Sequence, residues 1–257
     1  MTMQDWSGHG AIVTGGASGL GAATAARLAA DGMKVTVFDL DEEAGQARAS
    51  AIGGSFARVD VADPASVAEG LALAIGAEGV PRVLVNCAGI APAAKTVSRG
   101  EAHDPAVFAR VISVNLTGSF NMAAQVSAVM AAADPVGPDG ARGVIVNTAS
   151  VAAYEGQMGQ VAYAASKGGI VGMTLPMARD LADKGIRVCA VAPGLFLTPL
   201  LEGLPGEVQD SLGRQVPFPS RLGAPEEYAA LVAHILENPM LNGEVIRLDG
   251  AIRMAPR

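Results

Sequence analysis

Thr14-Gly15-Gly16-Ala17-Ser18-Gly19-Leu20-Gly21 follows the apolar run Ala11-Ile12-Val13 and precedes the Ala-rich stretch Leu20 to Ala30. That order, strand then glycine turn then helix, decides the fold. Glycines let the chain turn tightly and bring its backbone close to a ligand, and a helix N-terminus offers unpaired N–H groups and a positive dipole end. The spacing is G-x-x-x-G-x-G rather than G-x-G-x-x-G. A glycine cluster alone is also what a flexible turn looks like; its place between strand and helix favours a dinucleotide pyrophosphate. Gly15, Ser18, Gly19, Leu20 and Gly21 are the expected contacts.

Working outward, apolar runs alternate with helical patterns. Lys34 to Asp39, Ser55 to Val61, Arg82 to Asn86, Val144 to Asn147, Ile186 to Val191 and Glu244 to Leu248 read as further strands. Asp41 to Ala51 and Val161 to Asp183 read as helices, and Asp63 with Pro64 marks another helix start. Strands apolar on both faces and separated by helices predict a Rossmann-type, doubly wound, seven-stranded parallel sheet with helices on both faces. No linker breaks the pattern, so residues 1–257 are expected to form a single domain. The proline-containing stretch 195–219 interrupts the alternation and reads as a substrate lid.

Composition limits the function. Half of the 257 residues are hydrophobic and 17% charged, which excludes a disordered chain. A net charge of −7 disfavours nucleic acid, whose binding depends on Lys and Arg neutralising phosphates. Two cysteines make neither a disulfide framework nor a cysteine zinc site, and His9, His103 and His234 are too scattered to suggest any metal. Cys87 and Cys189 lie in or beside apolar strands and read as buried, inert thiols. The absence of a membrane-span pattern predicts no membrane partner, and the opening MTMQDWSGHG predicts a cytoplasmic address.

Asp39 ends the second strand, eighteen residues beyond Gly21. A carboxylate there can accept hydrogen bonds from an adenosine ribose and would repel a 2′-phosphate. Leu40-Asp41-Glu42-Glu43 supply no cation in compensation, so the expected cofactor is NAD. The plain alternative is that Asp39 caps the next helix.

Tyr163 and Lys167 stand at i and i+4 of one predicted helix, hence on one face. A cation about 4 Å from the phenol, at an effective dielectric of about 20, is worth roughly 4 kcal/mol, or about three pKa units. That would turn a poor acid–base group into a useful one. A solvated helical pair is the alternative. Ser150 closes Val144 to Ser150 at the carboxyl end of a strand, where α/β sheets bind ligands, and can hold a substrate oxygen. Asn115 by itself can equally kink or cap the helix around Ser113 to Phe120.

Together Thr14-Gly15 through Gly21, Asn86-Cys87-Ala88-Gly89, Asn115, Ser150, Tyr163-x-x-x-Lys167 and Pro193-Gly194 resemble the short-chain dehydrogenase/reductase family. The resemblance implies a catalytic set of Asn115, Ser150, Tyr163 and Lys167. Tyr163 would exchange the substrate proton, Ser150 polarise the substrate oxygen, Lys167 bind the nicotinamide ribose and lower the Tyr163 pKa, and Asn115 keep a water in a proton relay. It further implies Asp60 and Val61 around the adenine and Asn86, Cys87, Ala88 and Gly89 near the adenosine half. It also implies Pro193, Gly194, Phe196 and Thr198 near the nicotinamide.

Ala162 to Asp180, Gln215 to Gly223 and Asn238 to Met254 narrow the resemblance to family members that act on 3-hydroxyacyl-CoA. That implies NAD-dependent interconversion of a 3-hydroxyacyl-CoA and a 3-ketoacyl-CoA, and a homotetramer. Gln157 and Gln160 either line the substrate cleft or decorate a surface loop. Lys95 and Arg99 either meet CoA phosphates or are solvated charges. The competing functions are a dehydrogenase of a steroid or other small secondary alcohol, and a non-catalytic NAD-binding sensor.

Overall fold

The computed structural model describes residues 1–137, 139–203 and 205–256, apart from the side chains of Gln4, Leu200 and Glu202. In chain order the elements are α1 (Met3–Trp6), β1 (Gly10–Thr14), α2 (Gly19–Ala30), β2 (Lys34–Asp39), α3 (Glu42–Ile52), β3 (Ser55–Arg58), α4 (Pro64–Glu78) and β4 (Pro81–Asn86). The hairpin β5 (Val97–Ser98) and β6 (Glu101–Ala102) follows, then α5 (Pro105–Ile112), α6 (Gly118–Ala131), β7 (Gly143–Thr148), α7 (Ala152–Glu155) and α8 (Val161–Asp180). Last come β8 (Ile186–Pro193), α9 (Pro199–Glu202), α10 (Gly206–Gly213), α11 (Pro225–Glu237) and β9 (Val245–Leu248).

Seven strands form one all-parallel sheet in the order β3-β2-β1-β4-β7-β8-β9. Every residue of β1, β4, β7 and β8 is buried, as the unbroken apolar runs require of strands covered on both faces. One apolar layer packs Trp6, Leu28, Val232 and Ile235 against the sheet; the other packs Phe38, Val67, Met122 and Val126. The order reverses between β1 and β4, which opens a crevice at the strand carboxyl ends.

Local chemistry fixes the helix starts. The carboxylates of Asp41, Asp63 and Asp104 accept from the backbone N–H of Ala44, Ala65 and Ala106. Pro64 and Pro105 occupy the first turn, where their missing N–H costs nothing. Arg187 is buried on β8 and donates to the carbonyls of Ile235, Leu236, Asn238 and Leu241, satisfying the end of α11.

The structure corrects the sequence expectations at several edges. The third strand stops at Arg58, because residues 59–61 turn into the cap of α4. The long helix ends at Asp180, and Ala182–Lys184 form a separate 3₁₀ turn closed by Gly185 in the left-handed region. The segment that carries Lys95 and Arg99 contains the β5–β6 hairpin, which no strand expectation covered. Between α5 and α6 the chain winds as a π-helix over Ser113–Thr117, which includes Asn115.

Candidate active site

A cleft of about 1070 Å³ lies at the carboxyl ends of the central strands. It is lined by Gly15, Ser18, Gly19, Leu20 and Gly21 from the glycine turn, by Asp39, Asp60 and Val61, and by Cys87, Ala88 and Gly89. Ser150, Gln157, Gln160, Tyr163 and Lys167 complete one side, with Pro193, Gly194, Phe196 and Thr198 on another. Residues spread over almost the whole chain thus converge on one crevice.

The glycine turn is built so tightly that side chains cannot enter it. A Cβ on Gly21 would lie 2.1 Å from the Gly15 carbonyl oxygen, and one on Gly15 would lie 2.8 Å from the Ala88 nitrogen. Gly15 and Gly19 also sit at positive φ. Ser18, at the N-cap of α2, makes no side-chain capping bond. The first N–H groups of this twelve-residue helix therefore face the cleft without a side-chain acceptor, which fits a pyrophosphate.

Asp39 is not a helix cap; Asp41 caps α3 instead. The Asp39 carboxylate accepts from the N–H of Ala17 and of Asp41, each at 3.1 Å, and lines the cleft beside the glycine turn. The first turn of α3 then presents Glu42 and Glu43. The local charge is negative, which suits a ribose with free hydroxyls and opposes a 2′-phosphate.

Ser150 is buried at the end of β7, and its hydroxyl is a neighbour that favours the Tyr163 phenolate. The Ser150 hydroxyl oxygen also accepts from Ala152 N–H at 3.1 Å. Tyr163 and Lys167 share one face of α8, with the Lys167 Nζ 5.6 Å from the phenol ring centroid. Lys167 is buried and donates to the Thr148 carbonyl at 2.6 Å. Burial pulls its ammonium down to about 8, with the Cys87 sulfur acting the other way.

The Tyr163 phenol departs from the sequence expectation. Burial pushes its pKa up, and the Ser150 side chain offsets only part of that rise. Removal of water penalises the phenolate more than its neighbours favour it.

Two expected contacts do not reach the cleft. Asn86 is buried with its amide donating to the Ser119 carbonyl and to Asn147 Oδ1, so its side chain joins β4 to β7 and α6. Asn115 is fully buried; its amide donates to the Ile90 carbonyl and to Ser166 Oγ, and its oxygen accepts from Ile90 N–H. It stands behind Gly89, where an added Cβ would lie 3.3 Å from Asn115 Oδ1 and 3.8 Å from Lys167 Nζ. Lys95 and Arg99 are exposed around the hairpin and outside the cleft lining. Cys189 is buried, whereas Cys87 is half-buried and borders the cleft. Among the described residues, no group of three His, Cys, Asp or Glu side chains is placed to hold a metal ion.

Several residues escaped the sequence analysis. Tyr228 is fully buried on α11, and its hydroxyl pairs with Thr148 Oγ1 at 2.8 Å. Thr148 Oγ1 donates its own proton to the Asn86 carbonyl at 2.6 Å, so Tyr228 is the donor in that pair. Thr148 is thereby held from two sides while its carbonyl anchors Lys167. The polar Ser166 within Tyr163-Ala164-Ala165-Ser166-Lys167 was a visible signal; Tyr228 on an apolar helix was not. Arg110 and Met254 also line the cleft, and nothing local in the sequence marks them.

A parallel sheet with its switch-point cleft, a glycine turn and a Tyr–Ser–Lys cluster defines a nicotinamide-dinucleotide oxidoreductase, and the short chain dehydrogenase model matches residues 9–208. The chain belongs to that family. It is 58% identical over 250 residues to 3-hydroxyacyl-CoA dehydrogenase type-2 of Homo sapiens, covering 96% of this chain and 95% of that one. The protein of that name from Drosophila melanogaster is 52% identical over 249 residues, covering 95% and 97%. A crystal structure of 3-hydroxyacyl-CoA dehydrogenase type-2 from Mycobacterium avium superposes with a TM-score of 0.93, at 42% identity and full coverage of both chains. Among the described residues no helix is long and apolar enough to cross a membrane.

Proposed function

We propose that the chain is an NAD-dependent dehydrogenase that interconverts a 3-hydroxyacyl-CoA and the 3-ketoacyl-CoA. The observation that carries the reading is the convergence of Ser150, Tyr163 and Lys167 on one cleft, with the Lys167 Nζ 5.6 Å from the phenol ring centroid. The high identity to proteins named for this activity supports the substrate class. Asp39, followed by Glu42 and Glu43, supports NAD over its 2′-phosphorylated form.

The residues divide the work as follows. The α2 N-terminus and the glycine turn would hold the pyrophosphate, Asp39 the adenosine ribose, Asp60 and Val61 the adenine edge, and Lys167 the nicotinamide ribose. NAD, when bound, supplies the hydride acceptor and a positive ring charge. Ser150 holds the substrate oxygen. Tyr163 takes the alcohol proton in oxidation and returns it in reduction. Lys167 keeps a positive charge beside the phenol below about pH 8. Asn115 fixes the Ile90 and Ser166 positions behind that pair.

We assign the segment 195–219 as the lid, with Leu204 outside the described residues. Leu195, Phe196, Leu201 and Leu212 face the cleft and would exclude water from an acyl chain. The segment is pinned at its base by paired backbone bonds between Leu195, Leu197 and Gly223. Exposed apolar side chains on α6 (Phe120), on α8 (Leu175) and at Phe218 and Met240 support the homotetramer, which sedimentation would test. The deciding assay is NADH oxidation with acetoacetyl-CoA, a steroid ketone and a CoA-free 3-ketoacid. Preference for acetoacetyl-CoA is expected. Preference for a steroid would replace this reading with the other dehydrogenase, and NADH binding without turnover on any of them would leave a sensor.

A further inference from the structure

We propose that the C-terminal segment Met254–Pro256, anchored by Glu155, is the fixed wall of the substrate end of the cleft, and that Met254 sets the size of the substituent admitted next to the reacting carbon. The inference rests on the 3-hydroxyacyl-CoA reading above and deepens it.

Chain ends fray unless something ties them down. Here three bonds do so within three residues. Met254 N–H donates to Glu155 Oε2 at 3.0 Å, Gln157 Nε2 donates to the Ala255 carbonyl at 3.0 Å, and Met158 N–H donates to the Pro256 carbonyl at 3.1 Å. The partners on the other side are Glu155, the last residue of α7, and Gln157 and Met158 in the turn that joins α7 to α8. That turn leads from Ser150 to Tyr163 and carries Gln157 and Gln160 into the cleft.

The anchor is electrostatic. Glu155 accepts from both terminal nitrogens of Arg247, at 2.9 and 3.3 Å, and pairs with Arg253 at 3.3 Å. Arg247 also binds Asp249 at 2.7 Å and the Ile252 carbonyl at 3.1 Å. Its guanidinium lies 5.4 Å over the Tyr154 ring. The Arg247–Glu155 pair is only about one-fifth exposed on either side, so it is less screened than a surface pair. These charges lower the Glu155 carboxyl pKa, chiefly through the Arg247 bond. Ile252, 1% exposed, is driven into the core just before the segment begins.

Met254 therefore lines the cleft from a segment held on both of its neighbours and bonded to Gln157 through the Ala255 carbonyl. A thioether side chain there limits volume without presenting a charge. One methylene of misfit in an apolar pocket changes kcat/KM by roughly 10–200-fold.

The test compares the full-length protein with Met254→Ala and Met254→Phe, using acetoacetyl-CoA and 2-methylacetoacetyl-CoA with NADH. The readout is the ratio of kcat/KM for the branched over the unbranched substrate. Met254→Ala should raise it by roughly tenfold and Met254→Phe should lower it by a similar factor, both mainly through KM. NADH affinity and melting temperature report that each variant is folded. A ratio that is unchanged in both, or that moves the same way in both, overturns the proposal. Glu155→Gln, which keeps the size of the anchor and removes its charge, should move the ratio in the direction of Met254→Ala; no movement would remove Glu155 from the proposal. If acyl-CoA substrates fail in every protein, the parent included, it is the substrate class that falls. The same two variants on a small and a bulky ketone then test the wall by itself.

Discussion

The nucleotide end and the substrate end of the cleft are built on different plans. The first rests on β1, β2 and β4, with the glycine turn wedged against Ala88 and Asp39 bonded to the turn itself. Its parts come from the first ninety residues and follow the sheet directly. The second is assembled from the α7–α8 turn, the 195–219 segment and Met254–Pro256, which meet only in the folded chain. Rigid backbone geometry recognises what is common to a cofactor, whereas side chains on remote segments recognise what differs among substrates.

The largest blow to the junction between the two ends is Tyr163→Phe. It should lower kcat by about 10³-fold while NADH fluorescence titration remains close to the parent's, if, as proposed, the phenol oxygen serves proton transfer. A residual rate within tenfold of the parent would move the acid–base role elsewhere. Gly21→Ala attacks the nucleotide end alone. With its new Cβ facing the Gly15 carbonyl at 2.1 Å, it should cost about 1–3 kcal/mol of stability and weaken NADH at least tenfold. Equal melting temperature and equal affinity would show that the turn can yield.

Asp39→Ala should sharpen the contrast, because it removes a recognition group from an otherwise fixed frame. Loss of a charge-assisted bond is worth about 1.5–3 kcal/mol, so NAD should weaken roughly ten- to hundredfold and the preference over NADP should shrink. An unchanged ratio of kcat/KM for the two cofactors would remove the assignment. The smallest expected effect is thermal. Lys167→Met removes a buried ammonium and should raise Tm by about 2–4 °C at pH 7 even as activity is lost. The parent's Lys167 is depressed to about 8 from an ordinary 10.5, so between these values the unfolded chain binds the extra proton. Parent stability from this group therefore rises with pH across that window, and the gap to the variant should narrow. A gap that widens from pH 8 to 10 would contradict the burial account.

Much of the nucleotide end was legible because strand, turn and helix follow each other within a few residues. Gly15 to Gly21 and Asp39 could be placed by spacing alone, and β2 was read with its true ends. The substrate end was legible only in pieces. Gln157 and Gln160 were visible as neighbours of Tyr163, but Met254 lies nearly a hundred residues away and has no local mark. The electrostatics were the least legible part. Charge spacing puts Lys167 beside Tyr163, yet the direction of the phenol's displacement follows from burial, with Ser150 acting the other way, and burial is a property of the packed site. Asn86 likewise stands at the expected strand end while its side chain serves the frame.

The winding at Ser113–Thr117 gives the rod made of α5 and α6 a slip in phase. One residue of excess amounts to about 100° of rotation in an α-helix. Arg110 borders the cleft, Val114 touches both the cleft and the packed layer, and Met122 and Val126, farther along, sit in that layer. A continuous α-helix with one residue fewer could not aim both stripes at once: seating either would swing the other aside by more than a quarter of a turn.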